Sequence, residues 1–133
     1  MIDHANEILI IENDQTFSTV LSDNLSPQGF TVTTSDSGED GFKKAMESKP
    51  GLIILDLMLG SMTGIEVLQE IRKDTSWGKS VPILVISSVP FLPNMDQVKE
   101  MATKFIPKEN FDMELLIKQI RILLKHNPSE TQK

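Results

Sequence analysis

The chain has 133 residues, a formal charge of -6 at neutral pH and 39% hydrophobic residues, a balance typical of one globular domain. Its net negative charge argues against broad, phosphate-driven binding of nucleic acid, and the absence of cysteine excludes disulfides and zinc-thiolate sites. No apolar stretch approaches the roughly 20 residues that span a bilayer, and the amino terminus lacks the features of a signal peptide, so we expect a cytoplasmic protein with no membrane partner.

Five short apolar runs alternate with five segments of helical periodicity, in one domain over residues 1–133 with its core within about 6–126 and a polar tail at 127–133. The predicted strands are Ile8–Ile11, Phe30–Thr33, Leu52–Leu55, Val81–Ile86 and Lys104–Ile106. The predicted helices cover about Phe17–Leu25, Gly38–Met46, Gly64–Asp74, Asn94–Thr103 and Met113–Leu124. This alternation predicts an α/β fold, a parallel sheet with helices on both faces. The leading topology is the flavodoxin-like order 2-1-3-4-5.

Polar side chains follow four of the predicted strands. Asp56 directly follows the third strand, and the order 2-1-3-4-5 places it beside Glu12 at the end of the first. Carboxylates held this close repel each other unless a proton or cation intervenes, and Mg²⁺ prefers such oxygen ligands. An aspartate beside Mg²⁺ can act as a nucleophile toward phosphorus. Ser87, after the fourth strand, and Lys108, after the fifth, would supply donors to the transferred group.

The chain resembles the receiver domain of two-component response regulators over nearly its whole length. The segments that carry the resemblance are ILIIEND, LIILDLMLGSMTGIEVL, PILVISS and ATKFIPK, in the order and spacing of that family. The resemblance implies the following roles: Asp56 as the phosphoacceptor; Glu12, Asn13, Asp56 and the main-chain carbonyl of Met58 as Mg²⁺ ligands; Ser87 and Lys108 as catalytic residues; and Ser87 and Phe105 as the switch.

The same resemblance implies a signalling protein rather than a conventional enzyme, since it would catalyse only its own phosphorylation and dephosphorylation. The phosphoryl group would come from a sensor histidine kinase or a phosphotransfer protein. We expect the output to be docking to a separate downstream effector protein, through the fourth helix, fifth strand and fifth helix, or alternatively action as a phosphorelay intermediate.

The sequence departs from the family pattern at several positions. Asn13 stands where receivers usually carry an aspartate, which predicts weaker Mg²⁺ binding unless Asp14 compensates; alternatively, Asp14 only caps the first helix. Gly60 replaces a common proline and should loosen the loop after the phosphoacceptor. Glu109 follows Lys108 where the family usually has proline in a cis peptide, and we expect a trans bond because a non-proline cis bond costs about 2.5–4 kcal/mol.

Two apolar residues predict a kinetic property. Met58 and Val89 hold positions that, in receivers, flank the route of the attacking water, so we expect slow self-dephosphorylation.

Other functions are left open by the sequence. A degenerate receiver would bind a partner without being phosphorylated, because Asn13 replaces the Mg²⁺-binding aspartate. A flavin electron carrier on the same fold is disfavoured, because the first strand-helix turn is acidic and free of glycine. A phosphatase with an aspartyl nucleophile is disfavoured too, because Met58 stands where its second aspartate would be.

Overall fold

Within residues 5–88 and 95–125, which this computed structural model describes, five parallel strands form one sheet. The strands are β1 (Glu7–Ile11), β2 (Thr31–Ser35), β3 (Leu52–Leu55), β4 (Ile83–Ser87) and β5 (Lys104–Pro107). The helices are α1 (Gln15–Leu25), α2 (Gly38–Ser48), α3 (Gly64–Arg72), α4 (Met95–Met101) and α5 (Met113–Lys125). The sheet order is β2-β1-β3-β4-β5, which confirms the predicted topology.

The core lies in two layers, one on each face of the sheet. Side chains of α1 and α5, such as Leu21 and Ile120, pack on one face against Ile10. Side chains of α2, α3 and α4, such as Leu68 and Val98, pack on the other face. Every residue of β3 and β4 is buried, which explains why these strands read as uninterrupted apolar runs.

Several predicted bounds differ from the structure. Strand β2 begins at Thr31 and runs to Ser35, because its ladder follows the five residues of β1; Phe30 is buried but lies outside it. Strand β4 begins at Ile83 rather than Val81. Helix α3 ends at Arg72 rather than near Asp74, and α4, described from Met95, ends at Met101 rather than Thr103. The predicted loop from Val89 to Asn94 and the tail at 127–133 lie outside the described residues.

The sheet register gathers the strand ends at one edge. Ile11 pairs with Leu55, so Glu12 and Asp56 leave neighbouring strands side by side, and the Asp56 amide donates to the Ile11 carbonyl over 3.0 Å. Ser87 pairs with Pro107, which places Lys108 next to the end of β4. Parallel strands thus bring residues far apart in sequence to one edge. In the described part of the chain, no helix is both long enough and apolar enough to cross a membrane.

Candidate functional site

Asp56 is the centre of the cluster at the carboxyl edge of the sheet. Its side chain is buried, with only 3% of the residue exposed. One carboxylate oxygen, Oδ1, accepts a hydrogen bond of 3.3 Å from the Met58 amide. The other, Oδ2, lies 3.8 Å from Nζ of Lys108. The carboxylate is therefore oriented by its own loop on one side and faces an ammonium group on the other.

Glu12 is the second buried carboxylate of the cluster. Its Oε2 accepts a hydrogen bond of 3.0 Å from the amide of Asp14. Burial raises the pKa of Glu12 to about 7, and the adjacent Asp56 carboxylate acts in the same direction. The Asp14 amide and the Lys108 ammonium oppose this rise in pKa. A buried pair of carboxylates of this kind calls for a proton or a cation.

Lys108 supplies that positive charge in the structure. Its Nζ lies 3.2 Å from Oε1 of Glu12 and 3.3 Å from Oε2. The peptide bond between Lys108 and Glu109 is trans, as predicted. With this trans bond, Lys108 begins the 3-10 turn at Lys108–Asn110 and its ammonium still reaches both carboxylates.

Ser87 lies at the same edge, at the end of β4, whereas Phe105 lies within β5, two residues before its end. Ser87 is the last residue of β4 and is fully buried. A small cavity of about 60 Å³ is lined by Ser87, Pro107 and Lys108, among others. Phe105 lies in β5, pairs with Val85 and is half-buried against the core beside α4. The hydroxyl thus lies near the lysine, and the aromatic ring lies one strand away.

Asp14 does not compensate for Asn13. Its Oδ1 accepts hydrogen bonds from the amides of Thr16 at 3.0 Å and Phe17 at 3.3 Å, so the side chain caps the amino terminus of α1. Asn13 itself is exposed and follows Glu12 directly in the chain. Of the two roles that the sequence left open for Asp14, the structure shows the helix cap.

Glycines shape the loop after Asp56. Gly60 has φ of 98°, in the left-handed region that side-chain-bearing residues rarely adopt and proline cannot. A Cβ at Gly64 would collide with the backbone carbonyl of Asp56, and the Gly64 amide donates to Leu57 over 3.1 Å. These two positions make glycine necessary on both sides of the turn.

One residue of the site was missed by sequence reasoning. Phe17 appeared only as an apolar position on the face of α1. In the structure, Nζ of Lys108 lies over the Phe17 ring, 4.7 Å from its centroid. An aromatic residue on the first turn of a helix after an acidic strand end was the available signal, but a packed ring gives the same pattern.

The donor set suits a hard divalent cation. Two buried carboxylates and one ammonium leave an excess negative charge, and their oxygens are the ligand type that Mg²⁺ prefers. In residues 5–88 and 95–125, no three histidine, cysteine or acidic side chains converge as a metal site.

Comparison with known families gives the same assignment as the topology. The family model described as the response regulator receiver domain matches residues 8–121. The chain belongs to this family. It is therefore a receiver domain of two-component signal transduction, in a family of signalling proteins rather than conventional enzymes.

Relatives and solved structures agree with this assignment. The response regulator ArlR of Staphylococcus aureus (strain NCTC 8325 / PS 47) is 35% identical over 127 residues, which cover 93% of this chain and 55% of ArlR. This chain thus spans about half the length of the curated relatives it matches.

Two solved structures illustrate the likeness. The chemotaxis protein CheY4 of Vibrio cholerae is 26% identical, with a TM-score of 0.76, over 88% of this chain and 97% of CheY4. The receiver domain of the sensor histidine kinase PA1611 of Pseudomonas aeruginosa PAO1 has a TM-score of 0.79 at 22% identity, over 90% of this chain and 97% of that domain. That structure has a magnesium ion coordinated in the active site cleft. At this identity, the second likeness concerns the fold alone.

Proposed function

We propose that this receiver accepts a phosphoryl group on Asp56 in a Mg²⁺-dependent reaction. The observation that carries the proposal is the convergence of Glu12, Asp56 and Lys108 from the ends of three strands, with Lys108 within 4 Å of both carboxylates. Packing alone explains such a cluster poorly, because removing charged groups from water is costly even when they are paired. It is suited to chemistry on an anion.

Asp56 is the nucleophile. The Met58 amide holds Oδ1 and leaves Oδ2 facing Lys108, so the carboxylate is already oriented before a donor arrives. A carboxylate oxygen forms a bond to phosphorus while the bond from phosphorus to the donor nitrogen breaks. The electron pair of that bond returns to the imidazole nitrogen of the donor, and the product is an aspartyl phosphate.

Lys108 and Ser87 hold the transferred group. Lys108 is already within reach of Asp56 and would pair with a phosphoryl oxygen, which requires it to loosen its contact with Glu12. Ser87 would donate its hydroxyl hydrogen to a second phosphoryl oxygen from the buried end of β4. Donors on two sides would stabilise the charge on the equatorial oxygens.

Glu12, Asn13, Asp56 and the main-chain carbonyl of Met58 would hold Mg²⁺. The cation would supply charge neutralisation between the acidic side chains and the incoming phosphoryl oxygens. Because Asn13 contributes no charge, we expect weaker binding than an aspartate at this position would give.

The switch in this proposal is formed by Ser87 and Phe105. Movement of Ser87 toward the phosphoryl group would change the packing between β4 and β5, where Phe105 is half-buried. Phosphorylation would bias a two-state equilibrium of the neighbouring surface. The donor would be a sensor histidine kinase or a phosphotransfer protein, and a separate effector protein would read the surface. The chain would act in the cytoplasm.

The test is phosphorylation by a small donor. The purified protein is incubated with Mg²⁺ and acetyl phosphate and weighed intact, beside Asp56→Asn and the exposed helix variant Asp96→Asn. We expect the native chain and Asp96→Asn to gain one phosphoryl group and Asp56→Asn to gain none. A native chain that stays folded and gains nothing would contradict the proposal and favour a phosphorylation-independent binding module.

A further inference from the structure

Phe17 and Phe111 form an aromatic support under the ammonium of Lys108. Nζ of Lys108 lies 4.7 Å from the centroid of the Phe17 ring, within the range of a cation-π interaction. The Phe17 and Phe111 rings meet edge to face, with centroids 5.2 Å apart and an interplanar angle of 76°. The two rings come from the first turn of α1 and the segment before α5, so the support spans two elements on the same face of the sheet.

The aromatic support restricts the rotamers of the flexible Lys108 side chain. A lysine side chain is a point charge on a flexible four-carbon stem, so several rotamers compete with the one that reaches a buried acid. The Lys108 side chain is 21% exposed, and the carboxylates constrain it only at its ammonium end. A ring face beside the ammonium favours the rotamer that lies over the site.

The Phe17 ring also attracts the Lys108 ammonium without drawing it away from the carboxylates. A carboxylate partner for Lys108 outside the site would draw the ammonium away from Asp56. A hydroxyl partner would engage one of the ammonium N–H groups in a directional hydrogen bond. The face of Phe17 attracts the cation but leaves its N–H groups able to move between Glu12 and a group on Asp56. Phe111 packs edge to face with Phe17, and this contact restrains the orientation of the Phe17 ring beside Lys108.

We propose that Phe17 is a positioning residue that holds Lys108 over Asp56 through a cation-π contact and is itself fixed by Phe111. This inference rests on the proposed function for its effect on phosphorylation, but the contact itself is tested independently. Replacing the aromatic ring with an aliphatic side chain should slow phosphorylation of Asp56 roughly three- to tenfold, the range expected from loss of one such contact.

The experiment compares Phe17→Leu, Phe17→Tyr and a matched control, Phe42→Leu. Phe42 is half-buried on the opposite face of the sheet, so its replacement removes the same atoms far from Lys108. Two quantities are measured for each protein. They are the ring-current shift of the Lys108 ε-methylene protons by NMR, and the rate of phosphorylation by acetyl phosphate and Mg²⁺ from intact mass.

The expected result is a pattern rather than a single loss. Phe17→Leu should lose the ring-current shift and slow phosphorylation, Phe17→Tyr should keep both, and Phe42→Leu should match the native chain. The inference is overturned if Phe17→Leu keeps the shift or the native rate, or if Phe17→Tyr is as slow as Phe17→Leu. A native chain that takes up no phosphoryl group would contradict the proposed function alone, and absence of the ring-current shift in the native protein would separately overturn the contact between Phe17 and Lys108.

Discussion

The ammonium of Lys108 lies almost equally close to the two carboxylate oxygens of Glu12, 3.2 Å from Oε1 and 3.3 Å from Oε2. In this arrangement the lysine balances one of the two acidic groups of the resting site. Under the proposed function, the same ammonium must shift toward Asp56, 3.8 Å away, when a phosphoryl group arrives. Under that proposal, the contact between Glu12 and Lys108 is a resting-state interaction that competes with phosphoryl transfer.

Replacing Lys108 should lower the stability of the protein, because it leaves the two buried acids without a cation. In Lys108→Gln, the buried carboxylates of Glu12 and Asp56 lose their cation, and we expect the free energy of unfolding to fall by about 1–2 kcal/mol. This is less than the roughly 3–5 kcal/mol for a fully buried pair, because the Lys108 side chain is 21% exposed. Urea unfolding without divalent cations at neutral pH measures the change.

The matched control is Lys73→Gln, which breaks an exposed pair with Glu70. We expect it to change stability by no more than about 0.5 kcal/mol. Equal stability of Lys108→Gln and the native protein would show that the Lys108 contacts are energetically negligible.

Restoring an aspartate at residue 13 should strengthen Mg²⁺ binding. Asn13→Asp adds a negative charge next to Glu12 at the mouth of the site, and we expect affinity to rise on the order of tenfold. Isothermal titration with Mg²⁺ measures the constant. The control Asn24→Asp makes the same chemical change on the exposed surface of α1. A similar gain in that control would mean that net charge, rather than a ligand at residue 13, sets the affinity.

Asp14 should affect stability but not the cation. Asp14→Ala removes the side-chain cap of α1, so we expect a loss of about 1 kcal/mol, while Asp14→Asn keeps an accepting oxygen and stays near native. Asp23→Ala, at an exposed position inside α1, serves as a control without a capping role. Loss of Mg²⁺ binding in Asp14→Asn, with its fold intact, would show that Asp14 contributes to the metal site after all.

Met58 should lengthen the life of the phosphorylated state. Its apolar side chain is 56% exposed beside Asp56 and cannot orient an attacking water. We expect the native phosphoprotein to persist for minutes or longer, and Met58→Asn to lose its phosphoryl group several-fold faster. The decay is followed by intact mass after removal of the donor, with Leu115→Asn as an exposed control. A native lifetime of seconds would contradict this expectation; the role predicted for Val89 concerns a residue outside those described.

Asp40 should make a pH-dependent contribution to stability. The Ser35 hydroxyl donates to its Oδ2 over 2.8 Å, and with the Lys44 ammonium it lowers the pKa of Asp40 below 3.8. A carboxyl whose pKa is lowered by folding stabilises the protein above its unfolded pKa, and this stabilisation is lost as pH falls through the folded value. Asp40→Asn should therefore unfold at a lower temperature than native at neutral pH, and the difference should vanish in strong acid. A difference that stays constant with pH would rule out the ionised form as its cause.

The sheet order and most of the site could be predicted from the sequence for a physical reason. Strands buried on both faces, such as β3, have continuous apolar sequences. The topology then makes β1 and β3 neighbours, so that Glu12 and Asp56 leave adjacent strand ends. The predicted bounds of the edge strand β2 differed from the observed ones, because its exposed threonines do not form the apolar run that marks a buried strand.

The roles of individual side chains were harder to predict from the sequence. Asp14 could have been a ligand or a cap, and only the direction of its carboxylate, toward the amides of α1, distinguishes the two. The contact between Phe17 and Lys108 joins residues 91 positions apart in the numbering of the chain. An apolar residue at a helical period gives no indication of a cation above its ring.

The central claim is that Asp56 carries the phosphoryl group, and chemical mapping tests it most directly. After incubation with acetyl phosphate and Mg²⁺, the protein is treated with borohydride, which reduces an aspartyl phosphate to homoserine, and its peptides are sequenced by mass spectrometry. We predict homoserine at residue 56 in the native chain, with every other aspartate unchanged. Reduction at another aspartate, or at none despite an intact fold, would contradict the account.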